Sequence, residues 1–187
     1  ILHNILKKVC IVLKDNNIPH YIDCGTLLGC VRENSIMEHD TDVDVTVHLS
    51  MWNKLNSINF EEYGLKRTRT FKEYPPGYLI SVKLPDSDLY CDIYANPAFP
   101  KLTSKVMYGN TYPIPVNSEL YLTQLYGNWK VPDKSSGSHA KWPDLFYKDM
   151  VKKDNKYYEY WDKDYDIKIK PLPLPPSNFE RKIKELH

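Results

Sequence analysis

His39-Asp40-Thr41-Asp42-Val43-Asp44-Val45-Thr46-Val47-His48 reads with a period of two from Asp40 onward. Val43, Val45 and Val47 point one way, and Asp42, Asp44, Thr46 and His48 point the other. The pattern predicts a strand over 40–48 with one buried face and one chemical face. Alternate residues of a strand share a face and lie about 6.7 Å apart at Cα. Asp42 and Asp44 can therefore aim two carboxylates at one point. Side by side, such groups repel one another and resist ionisation. A hard divalent cation with a preference for oxygen ligands relieves that repulsion. A merely solvated strand face would explain the charges but not the valines between them.

An EF-hand is the competing metal reading, since Asp40, Asp42 and Asp44 fit loop positions 1, 3 and 5. It fails where Val45 stands at the obligatory glycine and Met51 at the closing glutamate. The valine alternation also demands a strand.

A third carboxylate lies in Leu89-Tyr90-Cys91-Asp92-Ile93-Tyr94, a second alternating segment. Pro85-Asp86-Ser87-Asp88 makes a turn ahead of it, so 77–84 and 89–94 are expected to form an antiparallel hairpin. If the 89–94 strand lies beside the 42–48 strand, Asp92 completes a site of three carboxylates. A further strand is expected over 64–71.

Upstream, Asp23-Cys24-Gly25-Thr26-Leu27-Leu28-Gly29-Cys30-Val31-Arg32 reads as a turn at Gly25 followed by a helix over 26–32. Gly25 permits a close backbone approach, and the helix start offers free N–H groups suited to a phosphate. Thr26 either adds a hydroxyl to that site or caps the helix. Arg32 is placed to pair with a phosphate or to hold one of the aspartates.

Around this centre the spacing of Ile1, Leu2, Ile5, Leu6, Val9, Val12 and Leu13 predicts an amphipathic helix over 1–16, ended by Asn16-Asn17 and Pro19. A short strand is expected over 20–23 and a helix over 52–58 with Ser50 as its cap. An extended segment over 106–116 is broken by Pro113 and Pro115, and a helix over 118–125 is capped by Ser118. Residues 135–138 read as a mobile loop, 157–165 as mixed aromatic and charged, 170–176 as a proline-rich connector and 179–186 as a last helix. The group Tyr157, Tyr158, Tyr160, Trp161 and Tyr165 fits either an acceptor platform or packing of the tail on the core. No internal repeat is found. The whole reads as one α/β (α+β) domain with an irregular C-terminal extension.

With 187 residues and 42% hydrophobic composition the chain can bury a sizeable core. A formal charge of +1 argues against a bulk nucleic-acid binder, and no stable nucleic-acid partner is expected. No apolar run approaches the about 18 residues of a membrane span, so none is expected. Cys10, Cys24, Cys30 and Cys91 form no C-x-x-C pair and read as reduced thiols rather than a zinc site. With no N-x-S/T sequon, this leans toward the cytoplasm. Ile1 opens the chain with no signal-peptide pattern after it. A Golgi-lumenal location stays open if the chain is a fragment of an anchored protein.

A hydrophobic-Gly turn, an Asp-x-Asp strand and a later acidic strand, in that order, resemble the nucleotidyltransferase-fold superfamily. Within it the chain resembles the LicD/fukutin group. The matching residues are Gly25-Thr26-Leu27-Leu28-Gly29-Cys30-Val31-Arg32, Ile36 and Asp40-x-Asp42-x-Asp44, then Leu125-Tyr126-Gly127-Asn128-Trp129 with Pro132. Thr26 stands where that superfamily usually has Gly or Ser, Asp40-Thr41-Asp42 where the group often has three successive aspartates, and Asn128 where it commonly has Asp. The resemblance spans about residues 5–135. It implies a mixed sheet flanked by helices, with 1–135 as the catalytic domain and 136–187 as an extension packed on it.

The resemblance further implies transfer of a substituted phosphate, such as phosphocholine or ribitol phosphate, from a CDP-linked donor to a glycan hydroxyl. Mg²⁺ or Mn²⁺ would be the cofactor. Asp42, Asp44 and Asp92 would hold the metal, and Asp92 would take the acceptor's proton. Asp40 would support them or orient Arg32, and Gly25 and Thr26 would contact phosphate. Tyr126 and Trp129 would stack on a base or sugar, or else fix their loop by packing. His39 is a candidate proton shuttle, and His48 is not needed as a ligand. Two other readings use the same residues: transfer of a nucleotide from an NTP to a protein, small molecule or nucleic acid, and a non-catalytic binding module. Loss of a carboxylate would favour the last, and all three are present.

Overall fold

A computed structural model describes residues 1–74, 77–96 and 99–132, with the backbone alone for 71–74 and 77. The expectations for 135–138, 157–165, 170–176 and 179–186, and for the extension as a whole, lie outside the described residues.

The chain opens with α1 (Leu2–Asp15), whose buried stripe is Leu2, Ile5, Leu6, Val9, Val12 and Leu13. Left-handed Asn17, at φ 51°, ends it and turns the chain into β1 (His20–Ile22). Then come α2 (Cys24–Arg32) and β2 (Asp42–His48). A single 3-10 turn, Leu49–Met51, precedes α3 (Trp52–Asn56), and a second, Phe60–Tyr63, follows it. Next are β3 (Lys66–Tyr74), β4 (Gly77–Lys83) and β5 (Tyr90–Asn96). The described part closes with β6 (Leu102–Met107), β7 (Asn110–Pro115) and α4 (Ser118–Tyr126).

Five strands form one mixed sheet in the order β1-β2-β5-β4-β3. The expected hairpin is present, with β4 antiparallel to β5. The expected neighbour is also present: β5 lies beside β2 and runs parallel to it. A parallel pair needs a crossover, here the whole segment through α3, β3 and β4. Helix α1 packs on β2 and β5, and α2 packs on β2 and α4. The core joins α1 to Val43, Val45, Val47, Ile80, Val82, Cys91 and Ile93. The fold is thus a mixed α+β sheet flanked by helices. Among the described residues no helix is long and apolar enough to cross a membrane, and all four cysteines are free thiols.

Several local expectations are corrected. The turn before α2 is made by Cys24, at φ 47°, and Gly25 sits inside the helix. The 52–58 helix is shorter than expected and Ser50 does not cap it. The ring Nδ1 of His48 accepts the Ser50 N–H at 3.1 Å, which winds the chain into the 3-10 turn first. Ser118 is the first residue of α4, not its cap, because its hydroxyl donates to the Pro115 carbonyl. Residues 106–116 are not one extended segment. Tyr108 and Gly109, at φ 51° and 70°, reverse the chain and pair β6 with β7. The polar face of β2 is not open either, since Thr46 and His48 are buried with the valines.

Candidate active site

The parallel register of β2 and β5 sets Asp44 opposite Asp92, and Asp42 opposite Tyr90. Asp42, Asp44 and Asp92 each offer a carboxylate oxygen, and these three atoms lie within 4.8 Å of one another. Asp44 is 8% exposed and Asp92 7%. Burial first, and then the charges of Asp42, Asp23, Asp92 and Asp40, push the Asp44 carboxyl well above the ordinary carboxylate range. Burial also raises Asp92, against the opposing pull of Ser81 and Arg69. Asp40 precedes the strand, and its carboxyl is raised by burial. Its Oδ2 is buried with no hydrogen-bond partner among the described residues.

Hard oxygen donors, mutual repulsion and an orphaned carboxylate oxygen alongside together fit a divalent cation. An apolar or soft ligand would relieve none of these strains.

The start of α2 and the residue before it are fastened to β2 through both the N–H and the carbonyl of Asp44. The Asp23 N–H donates to the Asp44 carbonyl at 3.0 Å. The Asp44 N–H donates to Thr26 Oγ1 at 2.8 Å. Thr26 is only 1% exposed, so its hydroxyl oxygen is engaged by the strand rather than open to solvent. Gly25 lies beside the carboxylates. A Cβ built there would stand 3.8 Å from Asp40 Oδ2 and 4.0 Å from Asp44 Oδ2.

Asp23 was not singled out from the sequence, yet it anchors the region. Its carboxylate accepts from the Cys24 N–H at 2.7 Å, the Thr46 hydroxyl at 2.7 Å and the Tyr121 phenol at 2.8 Å. It therefore joins α2, β2 and α4. Its position just ahead of a helix was the available signal, as an N-cap.

Arg32 and Trp129 are brought to each other instead of to the carboxylates. Arg32 Nη1 donates to the Trp129 carbonyl at 3.1 Å, Nε to Glu33 at 2.9 Å and Nη2 to the Met37 sulfur at 3.2 Å. Its ion-pair partner among the described residues is Glu33, not an aspartate. Trp129 is 6% exposed, its indole N–H donates to Thr123 at 3.0 Å, and the Lys130 ammonium lies 5.4 Å from its ring centre. The packing alternative describes this placement, since little of the ring is open to a base or sugar. Tyr126 differs. Its phenol is pushed up by burial first, then by Cys24, Asp44, Asp23 and Asp40, which sets it within the field of the cluster. His39 is exposed, and His48 is buried with Nδ1 2.7 Å from the Ser50 hydroxyl.

The sequence model of one family, described as LicD/FKTN/FKRP, nucleotidyltransferase domain, matches residues 17–112. That stretch carries α2, β2, β5 and all three carboxylates. No curated protein matches the chain. Among solved structures, the chain is similar to the lincosamide antibiotic adenylyltransferase LnuA in its lincomycin-bound form. Identity is 12%, over 70% of this chain and 89% of that one, with a TM-score of 0.47. It is also similar to ANT(2")-Ia in complex with adenylyl-2"-tobramycin. There identity is 15%, over 98% of this chain and 92% of that one, again with a TM-score of 0.47.

Proposed function

Because the chain belongs to the LicD/FKTN/FKRP family of nucleotidyltransferase domains, we propose that it transfers a substituted phosphate from a CDP-linked donor to a glycan hydroxyl. The observation that carries this reading is the three-carboxylate cluster of Asp42, Asp44 and Asp92. These three would hold Mg²⁺ or Mn²⁺. When bound, the ion neutralises diphosphate charge and stabilises the departing CMP.

The chain's own residues then have separate tasks. The acceptor hydroxyl oxygen bonds to the distal phosphorus, and the bond from that phosphorus to CMP breaks, its electron pair leaving with CMP. A carboxylate oxygen of Asp92 takes the hydroxyl proton. Gly25, lacking a side chain beside Asp40 and Asp44, lets a donor phosphate approach the start of α2. Thr26 serves that phosphate by holding Asp44 in place. Asp40 adds negative charge beside the cation. Tyr126 bounds the donor side of the cluster, and Arg32 and Trp129 act on substrate through the 126–132 segment that they fasten.

The test is product analysis. CDP-choline or CDP-ribitol with Mg²⁺ or Mn²⁺ should give slow release of CMP and the matching phosphate ester, water replacing the sugar. The activity should vanish in Asp44→Asn. Release of pyrophosphate from CTP or ATP, with the nucleotide left on an acceptor, would replace this reading with nucleotidyl transfer.

A further inference from the structure

A polar row crosses the sheet through four strands. Asp44 stands opposite Asp92, Asp92 opposite Ser81, and Ser81 opposite Arg69. Directly paired residues share a face, so Arg69 at the far end faces the same side as the carboxylates.

An irregularity in β3 puts it there. Arg67 pairs with Val82, but the next pair in register is Arg69 with Ser81, leaving Thr68 as an extra residue. Without that bulge Thr68 would face Ser81, and Arg69 would face the fully buried Ile80. The bulge carries Arg69 to the polar row instead, and the Thr68 hydroxyl donates to the Ser81 carbonyl at 3.2 Å.

At its place Arg69 builds a support for one oxygen. The Ser81 hydroxyl donates to Asp92 Oδ1. Arg69 Nε donates to the Ser81 hydroxyl oxygen at 3.2 Å, and Nη2 lies 3.5 Å from the same Oδ1. The guanidinium rests 4.8 Å from the centre of the Tyr90 ring. Among the described residues no protein donor reaches Asp92 Oδ2.

We propose that Arg69 is a positioning residue for Asp92: together with Ser81 it fixes Oδ1, so that Oδ2 is presented to the cation and the acceptor. This rests on the reading of Asp42, Asp44 and Asp92 as a divalent-cation site.

Mn²⁺ binding to the metal-free protein, followed by electron paramagnetic resonance, tests it without any donor or acceptor. Wild type is compared with Asp92→Asn, Ser81→Ala, Arg69→Lys and Arg69→Gln, with melting temperatures taken alongside. Arg69 is 44% exposed at its side chain, so both of its variants should fold. Partners that orient a metal ligand typically matter by about 10-fold or more in affinity. Ser81→Ala and Arg69→Lys should each weaken Mn²⁺ binding to about that extent. Lysine keeps the charge but not the planar fork. Arg69→Gln should weaken it too, although removing a positive charge would by itself favour a cation. Tighter binding in Arg69→Gln, or wild-type binding in Arg69→Lys and Ser81→Ala while Asp92→Asn binds weakly, would overturn the role of Arg69 alone. Wild-type binding in Asp92→Asn would overturn the cation site beneath it.

Discussion

Thr26 Oγ1 accepts the backbone N–H of Asp44 at 2.8 Å, so a side chain from α2 completes the edge of the acidic strand where the β1 ladder stops. Thr26→Val keeps the shape and removes the acceptor, leaving a buried N–H without a partner. The cost should be about 1–3 kcal/mol. Thr26→Ser keeps the oxygen and should cost about 1 kcal/mol for the lost methyl. Urea unfolding of both variants checks the order, and a Val variant as stable as the Ser variant would contradict it.

Asp42→Asn, Asp44→Asn and Asp92→Asn should each lower turnover by about a thousandfold or more, the scale of several kcal/mol of transition-state charge stabilisation. Circular dichroism should show the fold intact in each. Wild-type turnover in any one of them at saturating Mg²⁺ would remove that residue from the site.

The raised carboxyl of Asp44 sets a direction for stability against pH. Its ordinary value is 3.8, and in the fold it lies well above that. The folded state therefore binds more protons than the unfolded chain between those two values. Its contribution is complete below the ordinary value and is lost as pH rises through the raised one. In EDTA, wild type should lose melting temperature relative to Asp44→Asn as pH climbs from about 4 toward neutrality. Mg²⁺ should narrow that gap at neutral pH. A gap that closes with rising pH in EDTA would show that the crowding is not felt.

Two glycines of α2 should respond oppositely to alanine. A Cβ at Gly29 would overlap the Ser35 carbonyl oxygen and press on Met37 at 3.3 Å. The Glu33 and Ser35 N–H groups both donate to the Gly29 carbonyl, which holds that backbone in place. Gly29→Ala should cost about 1–3 kcal/mol. At Gly25 the nearest atom, Met37 Cε, is 3.5 Å away, an ordinary contact. Gly25→Ala should therefore keep or slightly raise the melting temperature while lowering turnover, because its methyl would stand beside Asp40 and Asp44. Melting curves and steady-state kinetics separate the two outcomes.

Arg32→Ala should release the segment after α4, because the bond to the Trp129 carbonyl is lost. Backbone amides of 127–131 should exchange faster with deuterium, at a stability cost of about 1.5–3 kcal/mol. Exchange unchanged in this segment would return Arg32 to the role of a surface charge.

The carboxylate site was legible because each part of it is carried by a local pattern. The valines of 43–47 announce a strand, and the Pro85–Asp88 turn announces the hairpin that delivers Asp92. Thr68 gives no sign in the sequence that it will bulge, so no local pattern points to Arg69 and Ser81. Their meeting depends on pairing register, which composition does not encode. Gly109 carries the usual turn chemistry, but Tyr108 holds the other left-handed position of the turn, where Asn or Gly is the usual signal, and this masks the β6–β7 hairpin. Arg32 and Trp129 lie in two separate stretches that resemble the LicD/fukutin group, and nothing in either stretch says that the two bind each other.

The parallel pairing of β2 with β5 has a kinetic consequence. Asp44 and Asp92 become neighbours only after the chain has travelled through α3, β3 and β4 and returned. Contacts so distant in sequence carry a loop-closure cost that must be met before they contribute, and they form late. During refolding, Mn²⁺ capture should thus lag behind helix formation and coincide with closure of the sheet, making the ion a clock for the last step of assembly.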